Sequence, residues 1–266
     1  MRMRTLLLTV LCLLLIIPAA AAVKKKSTTC PKTLAQCPDD GCSTDHDVDG
    51  TLNELKNIRA DDPKAGGPAA PRTLQSMKNL PDPQHFDLGG SREELEDHGE
   101  GTKIRVTAFL LTAKPEKGES CNCGLDDRKQ KDKDVGVNTD NHLVLVSGAT
   151  VKKFPVADGV DVNGWKQVLN QREAESITAE FTPRVRLAHP NFTRAAVRPL
   201  ILKARQMALP VRVTGLLMFD SQHFLEHRLP RVNNWEIHPI LKLEFCPKNV
   251  TCKADSDDGW RSLDDL

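Results

Sequence analysis

NNWEIHPILKLEF, Asn233 to Phe245, is the stretch on which the reading of the fold turns. Trp235, Ile237, Leu241, Leu243 and Phe245 alternate with Glu236, His238, Lys242 and Glu244, the period of two that marks a strand with one face in a core. Ile240 breaks the alternation. The polar face opens with a glutamate and a histidine two residues apart, where Thr, Lys or Ser would be ordinary. The segment therefore raises a chemical question as well as a structural one.

Four further strands are predicted upstream. KIRVTAFLL alternates Ile104, Val106, Ala108 and Leu110 with Lys103, Arg105 and Thr107, and HLVLVSG, His142 to Gly148, is an apolar run of strand length. ITAEFTPRVR puts Ile177, Ala179, Phe181 and Val185 on one face, and PVRVTGLLMFD does the same with Val211, Val213, Gly215, Leu217 and Phe219. Between these two lies a helical pattern with Asn191 as its cap and Pro199 as a kink, and a shorter helix is expected over Trp165 to Asn170. The order strand, strand, strand, helix, strand, strand resembles the OB-fold, a five-stranded Greek-key barrel with a helix between strands 3 and 4. Another small antiparallel barrel or sandwich is the competing architecture.

The barrel is assigned to residues 101–253 and an acidic tail to 254–266. Residues 1–22 have a basic start at Arg2 and Arg4, an apolar run from Leu6 to Ile17 and then alanines, the pattern of a secretory signal cleaved after Ala20 or Ala22. The run falls short of the ~18 residues a membrane span needs. Residues 23–100, rich in Lys, Asp, Pro and Gly, read as a Cys-containing extended arm and linker, largely irregular. The expected location is exported, periplasmic or extracellular, with no membrane span after signal cleavage.

The chain has 37 basic and 36 acidic residues, and two of the basic ones leave with the signal, so no basic excess marks a non-specific nucleic-acid binder. Tyr is absent and Trp numbers 3, which argues against base-stacking platforms. Of 8 cysteines, Cys12 lies in the signal and Cys30, Cys37, Cys42, Cys121, Cys123, Cys246 and Cys252 remain. Disulfides are expected in an oxidising compartment, an odd number leaves a thiol over, and the pairing is not legible.

In an OB-fold the face of strands 2 and 3 and the loops joining strands 1–2 and 4–5 carry the ligand. Both long charged loops fall at those positions. The first offers Glu119, Cys121, Asn122 and Cys123 and delivers Asp140 and His142; the second offers Asp220 and His223 and delivers Glu236 and His238. Imidazoles and carboxylates hold divalent metals, and the same pairs serve as general acid and base. Two functions stay open. One is a binding module for an oligosaccharide, nucleic acid or protein segment, using loop residues such as Glu119, Asn122 and Asp220. The other is a metal-assisted hydrolase or phosphodiesterase, in which His142, His223 and His238 hold a divalent ion and Glu236 or Asp140 handles the proton. A purely structural role competes with both, with Glu236 beside Lys242 or Arg231.

TDHDVDGTLNEL, from Thr44, places Asp45, Asp47, Asp49 and Gly50 as the opening of a calcium loop, but Lys56 stands where the last acidic ligand belongs, and a turn capping the helix LNELKN fits as well. DGCSTD, LNELKN, ESCNC, TPRVRLAHPNF, VTGLLMFDSQH and NWEIHPI are together similar to a family of exported bacterial proteins. The resemblance covers most of the mature chain. It implies bacterial export and no particular reaction.

Overall fold

The computed structural model describes residues 29–44, 48–84, 89–127, 137–224 and 230–266. The expected signal segment, Asp45 and Asp47 lie outside them. Seven strands form one sheet: β1 (Ala70–Arg72), β2 (Lys103–Pro115), β3 (Asn141–Val146), β4 (Ile177–Phe181), β5 (Leu209–Phe219), β6 (Trp235–Phe245) and β7 (Arg261–Ser262). Five of them close a barrel in the order β2-β3-β4-β6-β5 and back to β2, with β4 and β6 parallel and the other barrel pairs antiparallel. That is the OB-fold topology, and a helix, Arg194–Lys203, lies between its third and fourth strands.

The helices are α1 (Gly50–Lys56), α2 (Leu74–Lys78), α3 (Glu93–Asp97), α4 (Gly148–Lys153), α5 (Val162–Glu173), α6 (Pro183–Arg186) and α7 (Arg194–Lys203). α5 is longer than the Trp165–Asn170 helix that the sequence predicts. Val185, expected on strand β4, belongs to α6, whose cap Thr182 ends the strand's extended backbone. The cap of α7 is Thr193, whose hydroxyl accepts from Ala196 N, rather than Asn191. Asn191 Nδ2 instead donates to Leu263 O at 3.1 Å.

The exceptions to alternation have backbone causes. β6 carries two bulges against β5, so that Gly215 pairs with Ile240 and Leu217 with Ile237. Each extra residue flips the parity, which returns Ile240 to the core. A Cβ on Gly215 would sit 2.4 Å from Pro239 O and 2.5 Å from Ile237 Cγ2, so only glycine fits opposite the bulge. A third bulge in β2, between Leu110 and Thr112, sends Leu110 into the barrel and Leu111 to a separate outer cluster with Val144, Val146 and Ala208.

The segment before the barrel is irregular as expected, yet its described part is packed rather than trailing. Ile58, Leu74, Met77 and Leu95 are buried in the barrel's own core cluster, and Trp235 Nε1 donates to Pro81 O. The sequence hid this because the apolar anchors are single residues between Pro, Gly and charges, without a period. The expected tail also docks: β7 pairs with β6, Leu263 is buried, and Arg212 holds Glu244 and Asp257. Among the described residues three disulfides form, Cys30–Cys42, Cys37–Cys123 and Cys246–Cys252, leaving Cys121 as a buried thiol. They fit an oxidising compartment. Among the described residues no helix is long and apolar enough to cross a membrane.

Candidate metal centre

Strand register builds the site. His142 on β3 lies opposite Glu180 on β4, and the parallel pairing of Thr178 with Glu236 carries Glu180 to the level of His238 on β6. Core residues Leu143, Ala179 and Ile237 alternate with this row, so His142, Glu180 and His238 form a line across three neighbouring strands on the outer face of the barrel.

That face is not open to solvent. Glu236 is 0 % exposed and His238 1 %, so neither is the solvated strand edge that alternation suggests. The segment before the barrel covers them. Lys56 of α1, also buried, donates to Glu119 at 2.9 Å, and Asn57 Nδ2 donates to Cys121 O at 2.9 Å. The disulfide Cys37–Cys123 ties this cover to the loop, and Cys42 N donates to Ser120 O. Gly41 passes the same loop so closely that a Cβ would lie 2.3 Å from Ser120 O.

The two long loops meet at this end of the barrel, where Gln222 Nε2 donates to Ser120 Oγ at 3.1 Å. Asp127 holds the first loop in shape by accepting from the backbone N–H groups of Asn138 and Thr139, which sets up Asp140. Asn122 Nδ2 donates to Asp140 Oδ1 at 3.0 Å. Asp140 Oδ2 faces His238 Nε2 at 3.6 Å. Glu180 stands between the histidines, one carboxylate oxygen against His142 Nε2 and the other 3.2 Å from His238 Nδ1.

Each histidine also has an outer carboxylate on Nδ1: Glu116 at 2.9 Å from that of His142, and Glu236 at 3.2 Å from that of His238. Carboxylates on Nδ1 that leave Nε2 turned inward are the usual outer support of metal-binding imidazoles. Among the described residues, Asp140 Oδ2, both Glu180 oxygens and His238 Nε2 are buried with no hydrogen-bond partner of adequate direction. Their contacts are close but poorly aimed, and buried polar atoms in that condition call for an explanation.

Charges are crowded here. Arg231 neutralises Asp220 at 2.8 Å and Glu236 at 2.7 Å, and Lys56 serves Glu119. Asp140 and Glu180 are left to the imidazoles. Burial, then Glu119 and Glu180, push the Asp140 carboxyl up to about 8. Burial opposes the charged form of His238, but Glu180 and Glu236 together outweigh it and raise it to about 10. The same contest, with Glu180 and Glu116, raises His142 well above its usual range. Burial would lift Glu180, yet the two histidines hold it well below the ordinary carboxylate value.

Of the residues singled out in the sequence, Glu119, Asn122, Asp140, His142, Glu236 and His238 converge. Three overlapping sets bring ligand atoms within 4.8 Å of one another: Glu119, Cys121 and Asp140; Glu119, His142 and Glu180; Asp140, Glu180 and His238. His223 is in none of them. Its Nδ1 lies 2.6 Å from Asp220 Oδ2, so the expected His142, His223 and His238 trio is not the set brought together. Asp220 Oδ2 is shared by Arg231 and His223, while its Oδ1 is buried without a hydrogen-bond partner among the described residues. Glu236, expected to handle a proton, is held between Arg231 and His238 and orients both. Asp49 caps α1 by accepting from Leu52 N.

Sequence reasoning missed Glu180 and Lys56 as members of the site, whereas the pairing of Glu236 with Arg231, one of the two neighbours expected for it, is present. Glu180 stood inside a predicted strand, and its position there placed it on the polar face, but only the β4–β6 register identifies its neighbours. The class defined by topology and site is an OB-fold barrel whose usual ligand face carries a covered histidine and carboxylate cluster. No protein-family model, curated protein or solved structure matches the chain.

Proposed function

We propose that this is an exported protein that binds a divalent transition-metal ion on the outer face of its OB barrel. The ligands are His238 Nε2 and Asp140 Oδ2, with Glu180 completing the set. The observation that carries the reading is the convergence of buried ligand atoms without well-directed partners, two of them 3.6 Å apart. Two ligands on one tetrahedral ion with bonds of ~2.0–2.1 Å stand roughly 3.4 Å apart. An imidazole with two carboxylates suits zinc, or iron and manganese. Export is supported by the signal-like first 22 residues, and bacterial export by the likeness to an exported bacterial family.

The test is metal analysis of the full mature chain isolated without chelator, beside His238→Gln and Asp140→Asn. About one equivalent of ion is expected in the parent and none in either variant. A parent that holds no metal, and whose melting temperature zinc or manganese leaves unmoved, defeats the reading, because an ion bound only to the folded state must raise stability.

A metal-assisted hydrolase is the second reading. It is favoured by the partial exposure of Glu116, Glu119 and His142, which brings one side of the cluster to solvent, as a catalytic metal site requires. In that reading Glu119, reaching the solvent side, is better placed than Glu236 to take a proton. The binding-module reading is less favoured, since the face on which OB-folds hold ligands lies under α1 and its disulfide-linked loop.

A further inference from the structure

At the opposite end of the barrel, where β5 starts and β6 ends, a groove of about 940 Å³ opens beside α4 and the end of α7. Phe109, Val151, Ala208, Leu209, Pro210 and Val250 give it apolar walls, extending the outer cluster formed by the β2 bulge to the surface. Lys152, Lys203, Arg205 and Lys248 line it as well, all exposed. Among the described lining residues none is acidic, in a chain with 37 basic and 36 acidic side chains. Such segregation has a direction: the groove selects for negative charge.

The rim is also held in place. Gln206 and Met207 have φ of 58° and 49°, left-handed backbone at two consecutive non-glycine residues. Gln206 spans to Val156, accepting from its N–H at 2.6 Å and donating to its carbonyl at 3.2 Å, while Arg172 Nη1 donates to Gln206 O. Arg205 and Ala208 therefore flank the groove on a fixed turn, and a preformed site avoids the ordering cost of binding.

We propose that this groove binds a single-chain amphiphile with an anionic head, a long-chain fatty carboxylate. The volume lies in the range of small-molecule sites, ~300–1,000 Å³. A hydrophilic polyanion would leave the apolar walls unused, and a neutral lipid would leave four cations unused. Only a ligand with both parts engages both. This site is independent of the metal centre.

The experiment is palmitate binding to the full mature chain by native mass spectrometry and by displacement of a fluorescent fatty acid, with hexadecanol and phosphatidylglycerol vesicles as comparisons. Palmitate is expected at one per chain and hexadecanol at least about tenfold weaker. Lys152→Glu with Lys203→Glu, both on exposed side chains, should weaken palmitate about tenfold with an unchanged melting temperature. Val151→Glu should remove binding and leave metal content as it was. The proposal is overturned if palmitate does not bind, if palmitate and hexadecanol bind equally, if the variants leave affinity unchanged, or if the protein binds only vesicles, which would make this a bilayer-docking face.

Discussion

Glu180 lies between His142 and His238, one carboxylate oxygen against His142 Nε2 and the other 3.2 Å from His238 Nδ1. A single buried anion thus holds two imidazoles from strands β3 and β6 in one row, His238 buried and His142 partly exposed. Glu180→Gln keeps the shape and removes the charge. Because it leaves two histidines without their shared counter-ion, urea denaturation of the metal-free protein should show a loss of about 3–5 kcal/mol. Bound metal should fall in parallel. A loss under about 1 kcal/mol would mean that the row is solvated in practice.

The cover over the site depends on a covalent tie. Cys37–Cys123 links residues 86 apart in sequence, so replacing both by Ser relieves a long loop closure in the unfolded chain. The expected cost is about 4–5 kcal/mol in chemical denaturation, with faster metal exchange as a second readout. Unchanged exchange would show that α1 and Lys56 seat themselves without the staple.

Gly215 tests the barrel closure. Gly215→Ala drives a methyl to 2.4 Å from Pro239 O and should cost roughly 3 kcal/mol or more, or leave the protein insoluble. Gly67→Ala is the control, since nothing lies within 4 Å of its Cβ position and only its positive φ is penalised. Equal melting temperatures for the two variants would contradict the bulge geometry.

Acid sensitivity has a named contributor away from the metal centre. Burial alone would raise the Glu244 carboxyl, but Arg212 and Lys242 outweigh it and lower its pKa. A carboxylate with a lowered folded pKa adds stability above its unfolded value of about 4.3, and that stability is lost as pH falls through the folded value. Glu244→Gln should therefore flatten the stability profile below about pH 4.3 and lower its neutral plateau. A profile that keeps its acid slope would assign that slope to other carboxylates.

The strand pattern favoured the OB barrel over a rival barrel or sandwich, and most of the chemistry's cast was legible in it. Period-two alternation located four strands and a short apolar run the fifth, because the side-chain direction in a strand depends only on local backbone geometry, and their order with one helix pointed to the OB topology. It also placed Asp140, His142, Glu236 and His238 at the ends of the two charged loops. What tertiary structure alone decided is which of these residues meet. That Glu180 stands beside His238 is a matter of strand register, and the β4–β6 register is fixed by pairs such as Thr178 with Glu236, far apart along the chain. Burial was undecidable for a related reason. Glu236 and His238 lie on the polar face of their strand, but the cover that dries that face comes from α1, whose anchors Lys56 and Asn57 read locally as ordinary surface. Alternation tells which way a side chain points. It does not say what waits on the other side.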